Sequence, residues 1–230
     1  MKAVATIYTD FSEKFGIPRQ GALAHDSEGI IVFEPEYRME EALRGIEKYS
    51  HLWLLWQFSE NVSKKWSPTV RPPRLGGNKR VGVFATRSRP NPIGLTAVRL
   101  IGVEQTKNKG AVLRVAGVDL MNGTPIYDIK PYLPYADSIP EASLGFAGEH
   151  LMDVLEVVCS DELWGKIPED KRGALEEVLS QDPRPAYHED ETRKYGMEFA
   201  GFDIIFHVKE KVLYVDEIKK GNLTTKSKLL

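Results

Sequence analysis

Three segments combine rigid turn residues with side chains that can bind polar ligands. They are residues 14–20 (KFGIPRQ), residues 70–94 (VRPPRLGGNKRVGVFATRSRPNPIG) and residues 119–136 (DLMNGTPIYDIKPYLPYA). Proline restricts the backbone, so loops of this kind can present polar groups to a ligand with little further ordering. Their arginines could bind anions, their aspartates could accept hydrogen bonds, and their tyrosines could stack on bases. Taken singly, each segment could also be a turn whose arginines cap backbone carbonyls.

Positive charge is concentrated in one stretch of a chain whose net charge is -2. Residues 61–103 contain nine basic residues and no Asp or Glu. A one-sided basic block is typical of phosphate contact, although a solvated loop would show the same composition. The candidates for contact with a nucleic acid are Lys64, Lys65, Arg71, Arg74, Lys79, Arg80 and Arg89, together with Arg184 of the later segment DPRPAY.

Several common kinds of catalytic site have no counterpart in the sequence. No Gly-x-Gly-x-x-Gly motif follows a strand and no P-loop is present, so a Rossmann-type nucleotide site is not expected. The histidines show no metal-ligand spacing, and we predict no metal site. No nucleophile-elbow pattern supports Ser-His-Asp catalysis. His51 begins an apolar stretch and is predicted to be a core residue.

The single cysteine, Cys159, excludes an internal disulfide and a multi-cysteine zinc site. It lies in the apolar run VLEVVCS, which predicts a buried and inert thiol. The longest apolar stretch, residues 51–58, is much shorter than the roughly 20 residues that a membrane-spanning helix needs. The first residues show no signal-peptide pattern. We therefore predict a cytoplasmic protein without a membrane partner.

Short strands at close spacing predict a mainly β fold. Residues 1–145 are predicted to form a β-barrel and residues 146–230 a smaller α+β domain. Helical spacing predicts helices over residues 38–49 and 169–180, while residues 149–160 are ambiguous between strand and helix. Residues 61–80 read as a long loop, of a length that is usually functional or disordered. The predicted strands are residues 2–9, 29–33, 51–58, 81–86, 93–104, 110–118, 125–129, 199–208 and 212–218.

The three segments resemble the signature stretches of the TrmO (TsaA-like) methyltransferases, and the resemblance runs from residue 7 to about residue 142. The later LSQDPRPAY resembles the C-terminal domain of bacterial members. The resemblance implies a small β-barrel that binds S-adenosyl-L-methionine without a Rossmann sheet, in a homodimer with the donor close to the subunit interface. It implies methylation of N6 of threonylcarbamoyladenosine beside the anticodon, in threonine tRNA, and no DNA partner.

The resemblance also places donor binding on particular residues. Asp119 could accept hydrogen bonds from ribose hydroxyls or the donor's amino group. Arg87 could hold the donor carboxylate or an RNA phosphate, and backbone groups at residues 116–118 and Leu95 could read the adenine edge. The full set is Arg19, Gln20, Gly21, Ser59, Glu60, Arg87, Leu95, Ala116, Gly117, Val118 and Asp119.

The carbamoyl group delocalises the lone pair of the acceptor N6, so removal of its proton should help the transfer. Asp128, Tyr127 and Tyr132 are the candidate bases. Asp128 could instead satisfy a turn, Tyr127 could belong to the core, and the tyrosines could stack on a splayed adenine. Two other functions stay open, a non-catalytic RNA-binding barrel and a methyltransferase with a different acceptor.

Overall fold

The structure of the protein, a computed structural model, describes residues 1–18, 20–59, 66–72, 79–87, 91–150, 154–184 and 190–221. Within these ranges the helices are α1 (Pro134–Asp137), α2 (Asp161–Trp164) and α3 (Glu169–Ser180). The strands are β1 (Ala5–Thr9), β2 (Glu28–Phe33), β3 (His51–Gln57), β4 (Thr69–Val70), β5 (Val81–Gly82), β6 (Ile93–Thr106), β7 (Gly110–Ala116), β8 (Thr124–Pro131), β9 (Glu156–Val158), β10 (Tyr195–Phe199), β11 (Phe202–Lys209) and β12 (Val212–Lys220).

Six strands close into an antiparallel barrel in the order β1-β2-β7-β6-β3-β8. The side chains of Leu52, Leu54 and Trp56 in β3 are buried, while the residues between them are more exposed. This alternation follows from the two-residue period of a strand. Closure also removes the sheet edges that would otherwise attract other strands. The predicted mainly β fold, with an N-terminal barrel that is not a Rossmann sheet, is confirmed.

Residues 38–49 do not form the predicted helix. Two 3-10 turns, Glu40–Leu43 and Ile46–Lys48, occupy this segment, and Gly45 between them has a φ of +90°. A residue in the left-handed region ends a helix. Leu43 and Ile46 nevertheless pack against the core. The apolar spacing therefore identified the buried face, but the glycine prevented the helix.

The predicted strand over residues 81–86 is wrong in its second half. β5 ends at Gly82, and Val83–Ala85 form a 3-10 turn. The Val83 N–H donates to the Pro68 carbonyl at 3.0 Å, and the Thr86 N–H donates to the Val83 carbonyl at 3.2 Å. β5 pairs with β4 in a two-stranded ribbon outside the barrel. The basic block therefore includes a short ribbon.

The C-terminal part contains a four-stranded sheet in the order β10-β11-β12-β9 and the helix α3, which spans the predicted residues. The ambiguous segment resolves into a 3-10 turn over Gly145–His150 and the strand β9, which pairs in parallel with β12. β10 was not predicted. Ala200 and Gly201 have positive φ values and turn the chain between β10 and β11, although this pair is not a typical hairpin signal.

The two parts of the chain contact each other closely. Lys171 of α3 forms an ion pair with Asp10 at 2.8 Å, and the Asp10 carbonyl accepts from the Ala200 N–H at 3.0 Å. The rings of Phe11 and Phe199 meet edge to face with centroids 5.7 Å apart. The boundary at residue 145 stays a prediction. In the described part of the chain, no helix has the length and apolar character to cross a membrane.

Candidate functional site

Asp119 lies just beyond the end of β7 and accepts two hydrogen bonds from distant parts of the chain. The Gly21 N–H donates to its Oδ2 at 3.1 Å, and the Thr96 hydroxyl donates to its Oδ1 at 2.7 Å. The Thr96 oxygen in turn accepts from the indole N–H of Trp56 at 3.1 Å. Because Trp56 and Thr96 are buried on adjacent strands, the barrel itself orients the carboxylate.

Burial raises the pKa of the Asp119 carboxyl above its usual range. The hydrogen bonds from Thr96 and Gly21 and the charge of Arg87 act in the opposite direction, but they are smaller effects. Burial penalises the charged form of a carboxyl group. A cation or several hydroxyl donors bound at this position would remove that penalty, so the carboxylate is well suited to a positively charged or polyhydroxylated ligand.

Two glycines allow the backbone to approach Asp119. A Cβ added to Gly21 would lie 2.0 Å from the Gly117 carbonyl oxygen, which is far inside van der Waals contact. Gly117 itself has a φ of +76°, in the left-handed region that favours glycine. The 3-10 turn Gly21–Leu23 can therefore contact the end of β7 only with glycine at both positions.

Beside Asp119, Arg87 links the segment of residues 14–20 to the segment of residues 70–94. Its Nη1 donates to the Gln20 side-chain oxygen at 2.9 Å, and its Nη2 donates to the Leu95 carbonyl at 3.0 Å. The arginine and glutamine are exposed. Gln20, Gly21, Arg87, Leu95 and Asp119 thus form one group, which we call the Asp119 site. Their proposed contacts with a donor stay predictions.

Sequence reasoning missed Ser27 and Thr96. Ser27 is buried, its carbonyl accepts from the Gly117 N–H at 2.9 Å, and its hydroxyl accepts from the Val118 N–H at 3.1 Å. These N–H groups hold the end of β7 and, in this conformation, are not available to read an adenine edge. The inward position of Thr96 between Gly94 and Val98 could have marked it.

The three candidate bases lie on or just after β8. Asp128 pairs with Lys130 at 2.8 Å and accepts from the Ile129 N–H at 2.9 Å. The Tyr127 hydroxyl donates to Gln57 Oε1 at 2.6 Å. A register shift between Leu55 and Trp56 leaves Tyr127 as the extra residue of a bulge.

Strand register relates Asp128 to the Asp119 site. Leu55 pairs with Leu95 on one side and with Asp128 on the other. Leu54 and Trp56 face the core, so Leu55 and its two partners lie on the outer face of the barrel. Two strand spacings separate Leu95 from Asp128, a distance of about 10 Å. Asp128 is therefore near the Asp119 site, but the structure does not bring it into that group.

Tyr132 lies further along the same face. Its ring centroid is 5.4 Å from that of Trp53 and 6.2 Å from that of His51. His51 is exposed, and its Nδ1 lies 2.9 Å from the Ser50 hydroxyl. The prediction of a core histidine was wrong, because strand alternation turns His51 outward and Leu52 inward.

The prediction of a buried thiol was also wrong: Cys159 is half-buried, and this partial burial raises the pKa of its thiol.

The described candidates for RNA contact fall into two places. Arg71, Lys79 and Arg80 are exposed beside the β4–β5 ribbon. Arg80 also braces the ribbon, because its Nε donates to the Thr69 hydroxyl at 2.7 Å. Arg184 makes a two-point ion pair with Asp182, at 2.8 and 2.9 Å, in a cleft beside α3. Its guanidinium is thus partly engaged within the protein.

Some predicted site residues cannot be placed in this way. Ser59 is exposed just after β3, and its contact with a donor stays a prediction. Ala116 and Val118 are buried at and just after the end of β7, next to Asp119 in the chain. The following predicted residues lie outside the described residues: Arg19, Glu60, Lys64, Lys65, Arg74 and Arg89.

The fold and the Asp119 site define a class of protein: a β-barrel with a polar binding site at one end and a small α+β unit attached. Comparison with known proteins identifies the family. Residues 6–138 match the model of the tRNA-methyltransferase O N-terminal domain, and residues 156–221 match that of the TrmO C-terminal domain. The chain belongs to the TrmO family, and it is an enzyme of the tRNA methyltransferase class.

Similar proteins cover almost the whole chain. The tRNA (adenine(37)-N6)-methyltransferase of Escherichia coli is 41% identical over 215 residues, which are 89% of this chain and 91% of that protein. A Pseudomonas aeruginosa protein named as an S-adenosylmethionine-dependent methyltransferase is 41% identical over 214 residues, covering 89% of this chain and 90% of its own. The crystal structure of TrmO from P. aeruginosa superimposes with a TM-score of 0.77 at 34% identity, covering 95% of each chain.

Proposed function

We propose that this enzyme methylates N6 of the adenosine at position 37 of tRNA, next to the anticodon, using S-adenosyl-L-methionine. The acceptor in this proposal carries the threonylcarbamoyl group, and the substrate is threonine tRNA. Relatives named for methylation of adenine 37 and for S-adenosylmethionine dependence support the reaction. The observation that carries it is the Asp119 site, where three separate sequence segments meet around a carboxylate fixed by the barrel.

The donor set at the Asp119 site fits S-adenosyl-L-methionine. This molecule combines a sulfonium cation and an ammonium group with a carboxylate and ribose hydroxyls. Asp119 accepts from the ribose hydroxyls or the ammonium group, which offsets the burial that raises its pKa. Arg87 and Gln20 bind the carboxylate end, because the guanidinium is a fork of donors. Bound here, the cofactor supplies an electrophilic methyl group.

The protein's part in the transfer is alignment and removal of a proton. S-adenosyl-L-methionine held by Asp119, Arg87 and Gln20 would supply the methyl group, and the chain's own residues would align N6 for in-line attack and accept its proton. In this proposal Asp128 takes that proton, since its carboxylate is exposed on the outer face within about 10 Å of Leu95. Lys130 forms an ion pair with Asp128 at 2.8 Å. Tyr132 stacks on the splayed adenine.

The β4–β5 ribbon supplies the RNA contact surface in this proposal. Arg71 and Lys79 place positive charge on it, and the side chains of Trp66 and Phe84 are 61% and 81% exposed. Exposed aromatic rings beside cations are the usual means of binding single-stranded RNA. An anticodon loop presents phosphates and unpaired bases together, so it matches both features.

A second copy of the chain covers the outer face of β6 and β3 in this proposal, as the family resemblance implies. Ile93 and Leu95 are 36% and 46% exposed there, next to the partly exposed Trp53 and Leu55. A contiguous apolar patch of this kind is typical of an interface. Ile93→Asp should convert a dimer into monomers in sedimentation velocity; a monomeric wild type would remove the dimer from the proposal.

The proposal also covers where the enzyme acts and what each part of the chain does. The enzyme acts in the cytoplasm, where tRNA is modified, and the barrel of residues 1–145 carries the donor. Residues 146–230 add contacts to the RNA. Endoproteinase Glu-C cleaves after glutamate, and Glu141 and Glu149 lie on either side of residue 145. Limited digestion that releases these two pieces there would support the boundary, whereas cleavage only within the barrel would contradict it.

The decisive experiment is methyl transfer from labelled S-adenosyl-L-methionine to two matched samples of threonine tRNA, one with and one without the threonylcarbamoyl group. Label on N6 of the modified tRNA alone is the expected result. Label on the unmodified tRNA would overturn the requirement for prior modification. Donor binding in calorimetry without any label would point to another acceptor, and no donor binding would favour a non-catalytic RNA-binding barrel.

A further inference from the structure

A cleft of about 220 Å³ lies between residues 14–18, which come just before Gln20 and Gly21 of the Asp119 site, and the C-terminal end of α3. Residues 14–18 line one side, and Val178 with residues 181–184 line the other. These residues belong to the segments KFGIPRQ and DPRPAY. Sites for drug-sized ligands have volumes of about 300 Å³ or more. This cleft is smaller, so it suits a single ring system and not a whole donor molecule.

Gln181 contributes a buried acceptor at this cleft. Its side chain is 8% exposed, and its Nε2 donates to the Leu23 carbonyl at 2.6 Å and to the Glu177 carbonyl at 3.3 Å. Two carbonyls fix the amide orientation, because only the nitrogen can donate to them. The opposite atom, Oε1, is buried and has no hydrogen-bond partner among the described residues. A buried acceptor normally has a partner, so a donor from a ligand is expected here.

The other walls are apolar or charged. Phe15 and Ile17 are partly buried against the core, and Pro18 and Pro183 line the same cleft. Lys14, Asp182 and Arg184 are the charged residues of the lining; Arg184 pairs with Asp182, so the formal charge of the lining is positive through Lys14. Apolar walls with an aromatic ring favour a flat heterocycle, the buried oxygen favours an amino group on it, and the cations favour attachment to a polyanion. A nucleobase in an RNA chain has all three properties.

We infer that this cleft binds a base of the substrate RNA that carries an exocyclic amino group and lies near the methylated adenosine. The inference rests on the proposed function. Pro18 and Gln20 are two positions apart, so their Cα atoms are at most about 7 Å apart. Gln181 also bonds to Leu23 of the turn whose Gly21 N–H donates to Asp119. The cleft and the Asp119 site therefore share one turn.

The first test changes only the RNA. Threonine tRNA with the threonylcarbamoyl group is prepared with single abasic nucleotides at each anticodon-loop position other than the methylated one. One position should lower kcat/KM for the wild-type enzyme by about tenfold, the order expected from losing one base–aromatic contact. At that position, an analogue without the exocyclic amino group should also lower kcat/KM. A loop in which every position tolerates the abasic change would overturn the inference.

The second test couples the base to the protein. Phe15→Leu keeps an apolar side chain but removes the ring, and Phe202→Leu is the matched control, a partly buried ring outside the cleft. Phe15→Leu should lower kcat/KM about tenfold on intact tRNA and cause no further loss on the sensitive abasic tRNA, with unchanged donor affinity in calorimetry. If the loss in kcat/KM from Phe15→Leu and the loss from the abasic tRNA multiply when the two changes are combined, the inference is overturned. A wild type that fails on intact tRNA would overturn the proposed function as well.

Discussion

At the scale of single residues, Asp119 is the side chain around which the site is organised. Its carboxylate is oriented by a hydroxyl from β6 and by a backbone N–H from the turn Gly21–Leu23. The hydroxyl is fixed in turn by Trp56. Each supporting group is held by the barrel, so the carboxylate is placed before any ligand binds. Such preorganisation reduces the entropy that binding has to overcome.

Asp119→Asn should weaken binding of S-adenosyl-L-methionine about 10- to 100-fold. A hydrogen bond to a charged group contributes about 1.5–3 kcal/mol, and the amide lacks the charge. Asp128→Asn is the control, because we place Asp128 outside the donor contacts; it should leave donor affinity unchanged and lower kcat. Calorimetry and single-turnover rates separate the two effects. Equal donor affinity in wild type and Asp119→Asn would place the donor elsewhere.

The raised pKa of Asp119 has a consequence for stability. The folded protein holds the proton more tightly than the unfolded chain between pH 3.8, the ordinary pKa of an aspartate, and the higher folded value. Stability contributed by this group is therefore present below pH 3.8 and is lost as pH rises through that window. The Asp119→Asn variant should lack this loss, measured as the difference in urea unfolding free energy between the two proteins across the pH series. Parallel curves would show that Asp119 does not titrate abnormally.

At the scale of elements, the site depends on how closely a turn and a strand end can approach. The Gly21–Leu23 turn contacts Gly117 so tightly that a methyl group cannot be added at Gly21. The same turn is held from the other side by Gln181, and Glu177 of α3 accepts from the Asp26 N–H at 2.9 Å. The C-terminal part thus supports a turn that belongs to the barrel.

Gly21→Ala should displace this turn and break the Gly21–Asp119 hydrogen bond. The new Cβ would meet the Gly117 carbonyl oxygen at 2.0 Å, and backbone atoms cannot move aside cheaply. We expect a loss of about 1–3 kcal/mol in the free energy of unfolding and weaker donor binding. Gly102→Ala is the control, because nothing lies within 4 Å of its added Cβ. If the two alanine variants behave alike in urea unfolding and calorimetry, the close approach is unimportant.

The sequence predicted the barrel strands well because a two-residue apolar period needs no knowledge of distant contacts. It failed at residues 38–49, where Gly45 interrupts an otherwise helical pattern. Family resemblance predicted Gln20, Arg87 and Asp119, which do come together. Ser27 and Thr96 were missed because their roles arise only when β2, β6 and β7 become neighbours in the closed barrel. The local alternation of β6 marks Thr96 as an inward-facing polar residue, but it does not say which groups the hydroxyl will meet.

At the scale of the whole molecule, positive charge is separated from the rest of a slightly acidic chain. The ribbon β4–β5 lies outside the barrel and carries Arg71 and Lys79 as exposed cations. The acidic remainder would repel RNA elsewhere, so the basic block can orient the substrate as it approaches. Phosphate contacts fix the position of an RNA, while contacts to bases determine which RNA is accepted. In the proposed function the ribbon makes the phosphate contacts, and the cleft beside α3 makes a contact to a base.

Arg71→Ala and Lys79→Ala should each weaken tRNA binding and reduce its dependence on salt. Each lost phosphate contact lowers the slope of log K against log salt by about 0.7 for single-stranded RNA. Lys107→Ala, an exposed lysine in the turn between β6 and β7, is the matched control and should leave the slope unchanged. Arg80→Ala is expected to act differently: because Arg80 braces Thr69, its loss should disturb the ribbon and weaken binding by more than one contact. If the Arg71 and Lys79 variants keep the wild-type slope in filter binding across a salt series, the ribbon is not part of the RNA interface, and the orientation of the substrate would then have to come from the C-terminal part.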